Sequence, residues 1–372
     1  MNLRSDLLED RAKQFCNALI DQAKARVIVK PQADESGFWF GGGNLCQSPD
    51  GDLYLVGRYR NAGDSRTGVA AGTRGLELAI FRSGDQGQTF QQVVSWDKPA
   101  LNSAAGEVLS IEGSCLRFCD DGVELFVSTE KTGVPYPESV DGFLKPGAGV
   151  WNIDVLRAAD VAALRGATPE VFLASSDPEH LHVKDPFWWP VNRNSHSHDL
   201  MLGFCSHPFN WSSSNTCRTA LSSTDAAEFG VFPRGTTWDV AMTRGTCVLP
   251  MPELSTFAEG AAVSVLFYCG GECVRSLEEH GTAVRRPRGY SCEELGGAAV
   301  VVNGDVRHAT RLSRLLPMFV SPTGTGCSRY VSVLRTDDGF YATWQQSQSD
   351  LSQPLVMNFL SHDAVAAIIA EA

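Results

Sequence analysis

The chain has 372 residues, of which 43% are hydrophobic, 20% charged and 9% aromatic, a composition typical of an ordered globular protein and not of a disordered one. The formal net charge is −12, from 31 Lys and Arg against 43 Asp and Glu, and the sequence has no Lys/Arg-rich run. Such a charge distribution repels a phosphate backbone, so nucleic acid is excluded as a partner.

Residues 1–25 are predicted to form an N-terminal amphipathic helix, because Leu7, Leu8, Phe15 and Leu19 recur at helical spacing. Charged residues occur in every turn, so this segment has no apolar signal-peptide core. The rest of the sequence has no stretch of about 20 apolar residues, the length that a membrane span requires. We therefore expect a cytoplasmic protein with no membrane partner, unless a leader has been removed.

Residues 26–372 are predicted to form one all-β domain, because short apolar or alternating runs are separated by Gly, Asp, Asn and Pro. Strands are expected at 26–30, 44–48, 52–59, 76–82, 109–118, 123–129, 149–155, 169–174, 199–206, 215–222, 238–249, 261–268, 297–302, 328–335, 339–345 and 354–361. Grouped in fours, they predict a β-propeller of five blades, with six as the alternative. The strand at 26–30 or the one at 354–361 is available to close the ring. Short helices are expected at 159–165 and in the C-terminal AVAAIIAEA.

The octet Ser83-Gly-Asp-Gln-Gly-Gln-Thr-Phe90 lies between two alternating runs, LELAIFR and FQQVVSW, and predicts a hairpin turn. Asp85 is suited to accept backbone hydrogen bonds across the turn, and Gly87 to adopt a positive φ. The hydroxyls of Ser83 and Thr89 are suited to tie the two strand ends together.

This octet matches the Asp box S-x-D-x-G-x-T-F at every specified position, and with the run before it resembles the first blade of sialidase-like and five-bladed glycosidase propellers. In the families that carry the Asp box the turn lies on the outer rim, so the resemblance implies a fold and no catalytic role. In addition, His182-Val-Lys-Asp185-Pro186 resembles the Asp-Pro element of the arabinanase, xylosidase and invertase group. That resemblance implies that Asp185 lies on an inner strand and points into the central funnel.

Charged residues at strand ends are the candidate site residues, since a propeller gathers the starts of its innermost strands around one axis. Arg58 and Arg60 share one face at the end of a strand, and Asp64 follows them. They either bind sugar hydroxyls or a carboxylate through planar guanidinium groups, or are solvated loop charges. Glu112 interrupts an apolar strand, which is costly unless its carboxylate is paired, so it is expected in the funnel or at a strand edge.

Further candidates lie in the C-terminal third, where Glu272 directly follows an apolar strand. The dense Arg, Tyr and Glu residues around glycines there favour a site over an exposed loop. Trp238 is suited either to stack on a sugar ring or to pack in the core. The remaining candidates for substrate binding are Arg288, Tyr290, Glu293, Arg329 and Asp239.

Glycosidic cleavage requires one carboxylic acid to protonate the leaving oxygen and a second group to attack or to activate water. We predict Glu272 as the acid, Asp185 as the orienting carboxylate, and Asp64 or Glu112 as the base. The predicted function is an exo-acting glycoside hydrolase for a small-molecule or oligosaccharide substrate, with arginines that bind an acidic sugar. A non-catalytic carbohydrate-binding propeller and a sugar phosphorylase or lyase on the same scaffold are the alternatives.

The family patterns are matched only in part. The first blade reads Gly41-Gly-Gly-Asn44 where the arabinanase and invertase group has an aspartate. Sialidases use three arginines, a tyrosine with a glutamate partner, and an aspartate acid, and they carry a Phe/Tyr-Arg-Ile-Pro motif that this chain lacks. The residues that resemble this sialidase set are Arg58 or Arg60, Arg288, Arg329, Tyr290 and Glu293.

No cofactor and no metal are expected. The 11 cysteines are an odd number without a C-x-x-C pair, which favours buried free thiols over disulfides or a zinc site. His196 and His198 have a spacing suitable for metal ligands on a strand, but without a nearby third ligand they are interpreted as surface residues. The sequence leaves the oligomeric state open.

Overall fold

The structure is a computed structural model that describes residues 3–61, 75–144, 147–190, 200–254, 257, 261–272 and 294–370. Within these residues, 2 α-helices and 21 β-strands are present, and the helices are α1 (Leu3–Leu19) and α2 (His362–Ala370). None of the helices described is long and apolar enough to cross a membrane. The predicted fold class, an all-β propeller with an N-terminal helix, is confirmed.

The first two blades contain strands β2 to β10. The first blade consists of β2 (Trp39–Gly41), β3 (Leu45–Gln47), β4 (Leu53–Arg60), β5 (Glu77–Ser83) and β6 (Gln91–Asp97). Here β2 and β3 both pair with β4 and together form one interrupted inner strand. The second blade consists of β7 (Val108–Cys119), β8 (Gly122–Lys131), β9 (Val150–Ala158) and β10 (Glu170–Leu173).

The third and fourth blades are joined into one sheet by a short parallel contact. The third consists of β11 (His182–Pro190), β12 (Leu200–His207), β13 (Ser214–Ala220) and β14 (Glu228–Phe232). The fourth consists of β15 (Met242–Pro250), β16 (Val263–Gly271), β17 (Leu295–Val302) and β18 (Thr310–Arg311). The parallel contact pairs Ser214 with Met242 and Asn215 with Thr243, so the sheet continues from β13 to its neighbour β15.

The last blade is closed by the N-terminal strand. It consists of β19 (Ser328–Arg335), β20 (Gly339–Gln346), β21 (Leu355–Ser361) and β1 (Arg26–Val29). Because β1 pairs with β21, the two ends of the chain meet in one sheet. The inner strands β3, β7, β11, β15 and β19 pack one against the next around the axis and back to β3, which groups the described strands into five blades.

The predicted N-terminal helix is present and amphipathic, although it ends at Leu19 instead of residue 25. Its inner face, which includes Phe15 and Leu19, is completely buried against the last blade and against α2. The Phe15 ring packs edge-on against Phe340 at 5.6 Å between ring centroids. The Trp344 indole donates a hydrogen bond of 3.1 Å to Gln22, just after the helix. Helix α1 therefore covers the fifth blade, to which β1, the strand that follows α1, also belongs.

The Asp-box octet forms the turn between β5 and β6, away from the axis. Asp85 accepts hydrogen bonds from the Thr89 backbone at 2.9 Å, the Thr89 hydroxyl at 2.6 Å and the Ser83 hydroxyl at 2.7 Å. These bonds, led by those of Thr89, lower the pKa of Asp85 to about 2. Gly87 has φ +79°, as the turn requires. Arg26 of the closing strand donates to the Gly87 and Gln88 carbonyls, so this turn also contacts the fifth blade.

Each strand range expected from the sequence corresponds to a strand, with bounds that differ by a few residues. The structure also contains β6 and β11, which lie in the FQQVVSW run after the octet and in the Asp-Pro element, and it adds β2, β14 and β18, which have only two to five residues. The helix expected at 159–165 is only a short 3-10 turn at Ala163–Gly166, whereas the C-terminal helix is present as α2.

Candidate active site

All five inner strands are irregular close to the axis. Pairing shifts register between Ile111 and Ser114 in β7, and comparable shifts occur in β11, β15 and β19. In the first blade the inner strand is interrupted between β2 and β3. A bulge breaks the alternation of a strand and re-aims its side chains. The residues at or beside these irregularities include Glu112, Asp185, Arg244 and Tyr330, and they form the axial cluster described below.

Glu112 is held by two arginines of the first blade. Its Oε2 accepts hydrogen bonds from Arg58 at 3.1 Å and 2.6 Å, and its Oε1 accepts one from Arg60 at 3.4 Å. Arg58 is completely buried and Glu112 is 6% exposed. Burial raises the pKa of Glu112, but the charges of Arg58, Lys184 and Arg60 outweigh burial and hold that pKa well below its usual range. Glu112 is therefore an ionised carboxylate.

Glu294 is held in a similar way by two arginines of the fourth and fifth blades. Arg244 Nη1 lies 3.2 Å from both carboxylate oxygens, and Arg329 Nη1 lies 3.2 Å from Oε1. Burial raises the pKa of Glu294, but Arg244 and Arg329 lower it to about 2. The sequence analysis selected its neighbour Glu293. Glu294 directly precedes β17, so the strand-end criterion already applied to Glu272 was the signal for it.

Asp185 is held more loosely. Its Oδ1 accepts a hydrogen bond of 3.0 Å from the Gly113 backbone, and its Oδ2 accepts one of 3.2 Å from the Cys205 thiol. Arg244 and Lys184 form ion pairs with Oδ2 at 3.5 Å and 3.7 Å. The backbone of Asp185 has φ +55°, a conformation that is rare without glycine and that recurs at functional sites.

Tyr330 occupies the equivalent irregularity of the fifth blade, next to Arg329. Its φ is +56°, and its hydroxyl accepts a hydrogen bond of 3.1 Å from Arg244. The guanidinium groups of Arg58 and Arg329 lie 5.4 Å and 5.5 Å from its ring centroid. Burial, followed by the charges of Asp185 and Glu294, raises the pKa of Tyr330 well above its usual range, so the phenol is neutral.

Aromatic rings flank the charged groups on two sides. Trp39 lies under two guanidinium groups, those of Arg60 at 4.6 Å and Arg329 at 4.4 Å from the ring centroid. On the other side, the Lys184 ammonium lies 5.1 Å from the Trp151 ring and 5.8 Å from the Trp211 ring. Such rings bind cations through their faces and are also suited to stack on the apolar face of a sugar.

The axial cluster therefore combines five cationic side chains with three anionic ones. The cations are Arg58, Arg60, Lys184, Arg244 and Arg329, and the anions are Glu112, Asp185 and Glu294. In the described part of the chain this leaves a local excess of two positive charges. A cavity of about 460 Å³ adjoins Asp185 and Tyr330 and continues along the axis between the later halves of the inner strands.

The structure brings together five of the residues selected from the sequence, namely Arg58, Arg60, Glu112, Asp185 and Arg329. Glu272 is partly buried and follows Gly271, which pairs with the first residue of inner strand β15. It therefore lies at the same end of the fourth blade as Glu294. Asp64, Arg288, Tyr290 and Glu293 lie outside the described residues.

Trp238 and Asp239 belong to a separate buried cluster. Asp239 accepts hydrogen bonds from Tyr268 at 3.2 Å and from Arg311 at 2.7 Å, and Trp238 stacks on Tyr268 at 5.6 Å. These contacts join the segment before β15 to strands β16 and β18. Both residues thus have structural partners apart from the axial cluster.

The nine cysteines that the structure describes are free thiols, and seven are buried, as the sequence predicts. Burial raises the pKa of Cys205, beside Asp185, well above its usual range, so this thiol is protonated. Within the described residues, no group of three or more His, Cys, Asp or Glu side chains is arranged to hold a metal ion. His196 and His198 lie outside that part of the chain.

Several solved structures share the architecture of the whole chain. A glycoside hydrolase matches with a TM-score of 0.60 and 10% identity over 94% of both chains. A thermostable family-43 glycoside hydrolase matches with a TM-score of 0.54 and 10% identity, over 89% of this chain and 91% of that chain. The GH43_1 enzyme from Xanthomonas citri, solved with xylotriose, has a TM-score of 0.51 and 9% identity, over 95% and 93%. No family model and no curated protein matches the sequence. The chain therefore shares its β-propeller fold with solved glycoside hydrolases.

Proposed function

We propose that the chain is an exo-acting glycoside hydrolase whose reaction takes place in the axial cluster. The observation that carries the proposal is the convergence of Glu112, Asp185 and Glu294, from three blades, among buried cations at the axis. The glycoside hydrolases that share the fold support it. Burial of the carboxylates in the axial channel supports an exo mode, because a chain end reaches such a position more easily than the middle of a polymer.

The pKa shifts divide the possible catalytic roles. A general acid must carry a proton at the working pH, and the arginines keep both Glu112 and Glu294 ionised. Neither is therefore suited to protonate the leaving oxygen. We assign that role to Glu272, at the end of β16.

The other two roles remain with Asp185 and with Glu112 or Asp64. Asp185 orients the substrate, since it stands at an inner-strand irregularity with few strong partners. Glu112 or Asp64 is the base. A carboxylate with so low a pKa is a weak base, so Glu112 is better suited to stabilise positive charge at the anomeric carbon, which favours Asp64.

We further propose that the sugar is acidic. The axial cluster has more cationic than anionic side chains, and positive charge in a partly dehydrated channel attracts an anion. Arg58, Arg60 and Arg329, which the sequence suggests as ligands of an acidic sugar, all lie within this cluster.

A non-catalytic sugar-binding propeller is the second candidate, and the first blade supplies the observation that favours it. A Cβ atom at Gly42 would lie 2.7 Å from Arg58 Nη1, so the Arg58 guanidinium fills the space in which a side chain at this position would stand. The segment Gly41–Asn44, where the arabinanase group carries an aspartate, thus contains glycines that pack against an arginine and has no carboxylate. Such a site would bind a sugar without cleaving it.

The deciding experiment is incubation of the protein with labelled neutral and acidic glycosides, with products identified by mass. We expect hydrolysis from the chain end, and a loss of about 10²–10⁴-fold in kcat in Asp185→Asn and Glu272→Gln. Glu170→Gln is the matched control, because the Glu170 side chain is 73% exposed on an outer strand. Binding without any product would favour the second candidate, and an unsaturated or phosphorylated product would refute hydrolysis.

A further inference from the structure

Lys184 differs from the other cations of the axial cluster. Its side chain is 9% exposed, and the nearest carboxylate oxygen, Asp185 Oδ2, is 3.7 Å from its Nζ, beyond hydrogen-bonding distance. By contrast, the four arginines each have a glutamate oxygen within 3.4 Å. Among the residues that the structure describes, the Lys184 ammonium has no hydrogen-bond acceptor.

A buried ammonium without acceptors is costly. An ammonium carries three N–H donors, and leaving a buried charged donor unsatisfied costs more than leaving a neutral one unsatisfied. A protein tolerates this cost where a ligand supplies the acceptors. The Lys184 side chain lies beside Asp185, at the irregularity of an inner strand, which is a suitable place for such a ligand.

Aromatic rings also surround Lys184. Its ammonium faces the rings of Trp151 and Trp211 at 5.1 Å and 5.8 Å. The Trp211 indole covers two imidazoles, those of His182 and His207, each at 4.4 Å between ring centroids. Burial, followed by the Arg244 and Lys184 charges, lowers the pKa of His207 well below its usual range, so His207 is neutral.

Trp211 is held in an unusual conformation at this position. Its φ is +57°, which is rare for a bulky side chain, and its backbone N–H donates 2.9 Å to the Pro208 carbonyl. Asp185 and Tyr330 have similar φ values, so three of the six non-glycine residues with positive φ in the described chain surround the axial cluster. Strained backbone that collects at one place is a mark of a functional site.

We propose that Lys184 and Trp211 form a subsite for a sugar ring that carries a carboxylate. The ammonium binds the carboxylate, and the indole stacks on the C–H face of the ring. Asp185 does not prevent this, because the three donors of one ammonium can serve two carboxylates on different sides. The inference rests on the proposed function for the choice of a sugar, and it assigns recognition of the acid to Lys184 while the arginines hold Glu112 and Glu294.

Direct binding tests this inference without requiring turnover. The probes for calorimetry are glucuronic acid, galacturonic acid and N-acetylneuraminic acid, with glucose and galactose as neutral counterparts. We expect wild type to bind one of the acids at least about 10-fold more tightly than a neutral sugar, since a charge-assisted hydrogen bond contributes about 1.5–3 kcal/mol. The preference should weaken with added salt. The acid that binds identifies the type of carboxylated sugar.

Two variants separate the contributions of charge and ring. Lys184→Met should abolish the preference for the acid and change the affinity for neutral sugars less than about 2-fold, whereas Trp211→Ala should weaken both classes alike. Lys131→Met is the matched control, because Lys131 is also buried but is paired with Asp154 at 2.7 Å. This control should keep the preference for the acid.

The proposal is overturned if wild-type protein binds neutral sugars as tightly as acids, if it binds neither class, or if Lys184→Met retains the preference. Should Lys184→Met fail to fold, the wild-type affinity ratio and its salt dependence decide the question by themselves. Since none of these measurements depends on cleavage, a protein that binds the acid without hydrolysing glycosides would refute the hydrolase and leave this subsite supported.

Discussion

Replacing Glu112 by glutamine should destabilise the protein strongly. The substitution keeps the shape of the side chain and removes its charge, so Arg58 and Arg60 lose their shared counter-charge. Arg58 is completely buried, and its side chain is only 1% exposed. Removing one partner of a buried ion pair costs about 3–5 kcal/mol, because the remaining charge is left uncompensated in a poorly solvated place.

The measurement is the free energy of unfolding from urea denaturation at neutral pH. Glu124→Gln is the matched control, since Glu124 also pairs with two arginines, Arg117 and Arg157, but the Arg157 side chain is 51% exposed. Water can solvate that guanidinium after the change, and the Arg117 side chain is 16% exposed, against 1% for Arg58, so we expect the control to lose less stability than Glu112→Gln. Equal losses in the two variants would refute the argument that burial of Arg58 makes the Glu112 pair critical.

Three further outcomes are expected. The pKa of Glu294 is lowered to about 2, so the stability that this carboxylate contributes is complete above the pKa it has in the unfolded chain and is lost as the pH falls toward 2. Glu294→Gln should therefore flatten the acid limb of a Tm–pH profile. An unchanged acid limb would contradict this. Asp85→Ala should lower Tm through loss of the Asp-box hydrogen bonds while kcat stays constant, and a loss of kcat at unchanged Tm would place the turn in the site. Gly42→Ala should lower the free energy of unfolding, measured in urea, by about 1–3 kcal/mol more than Gly51→Ala does. Both glycines have positive φ, but only a Cβ at Gly42 would meet a guanidinium. Equal losses would show that this guanidinium moves freely.

Much of the fold follows from local patterns in the sequence. Alternating runs separated by turn residues predict the strands, because a strand that buries one face must repeat every second residue. The octet at Ser83–Phe90 predicts its own turn, since its hydrogen bonds join residues within six positions of one another. Short edge strands such as β14 and β18 are not predictable in this way, because they form only where a neighbouring strand offers its edge.

The candidate site is less completely determined by local sequence. Glu112 could be selected because a carboxylate in an apolar strand is costly without a partner. Asp185 could be selected because its Asp-Pro element resembles that of the arabinanase, xylosidase and invertase group. Glu294 directly precedes β17 and adjoins the selected Glu293, while Lys184 and Tyr330 adjoin the selected Asp185 and Arg329. The local sequence does not show that these three side chains reach the axis as well.

What the sequence by itself determined is most of the strands, the Asp-box turn, the amphipathic helix and the presence of charged residues that require partners. Only the tertiary structure decided which partners these are. Arg58 contacts Glu112 from 54 residues away and Arg244 contacts Tyr330 from 86 residues away, because the ring of blades brings distant strands to one axis. The tertiary structure also determined the positive φ of Asp185 and Tyr330. Residues with a Cβ disfavour this conformation, so only the packing around them holds them in it.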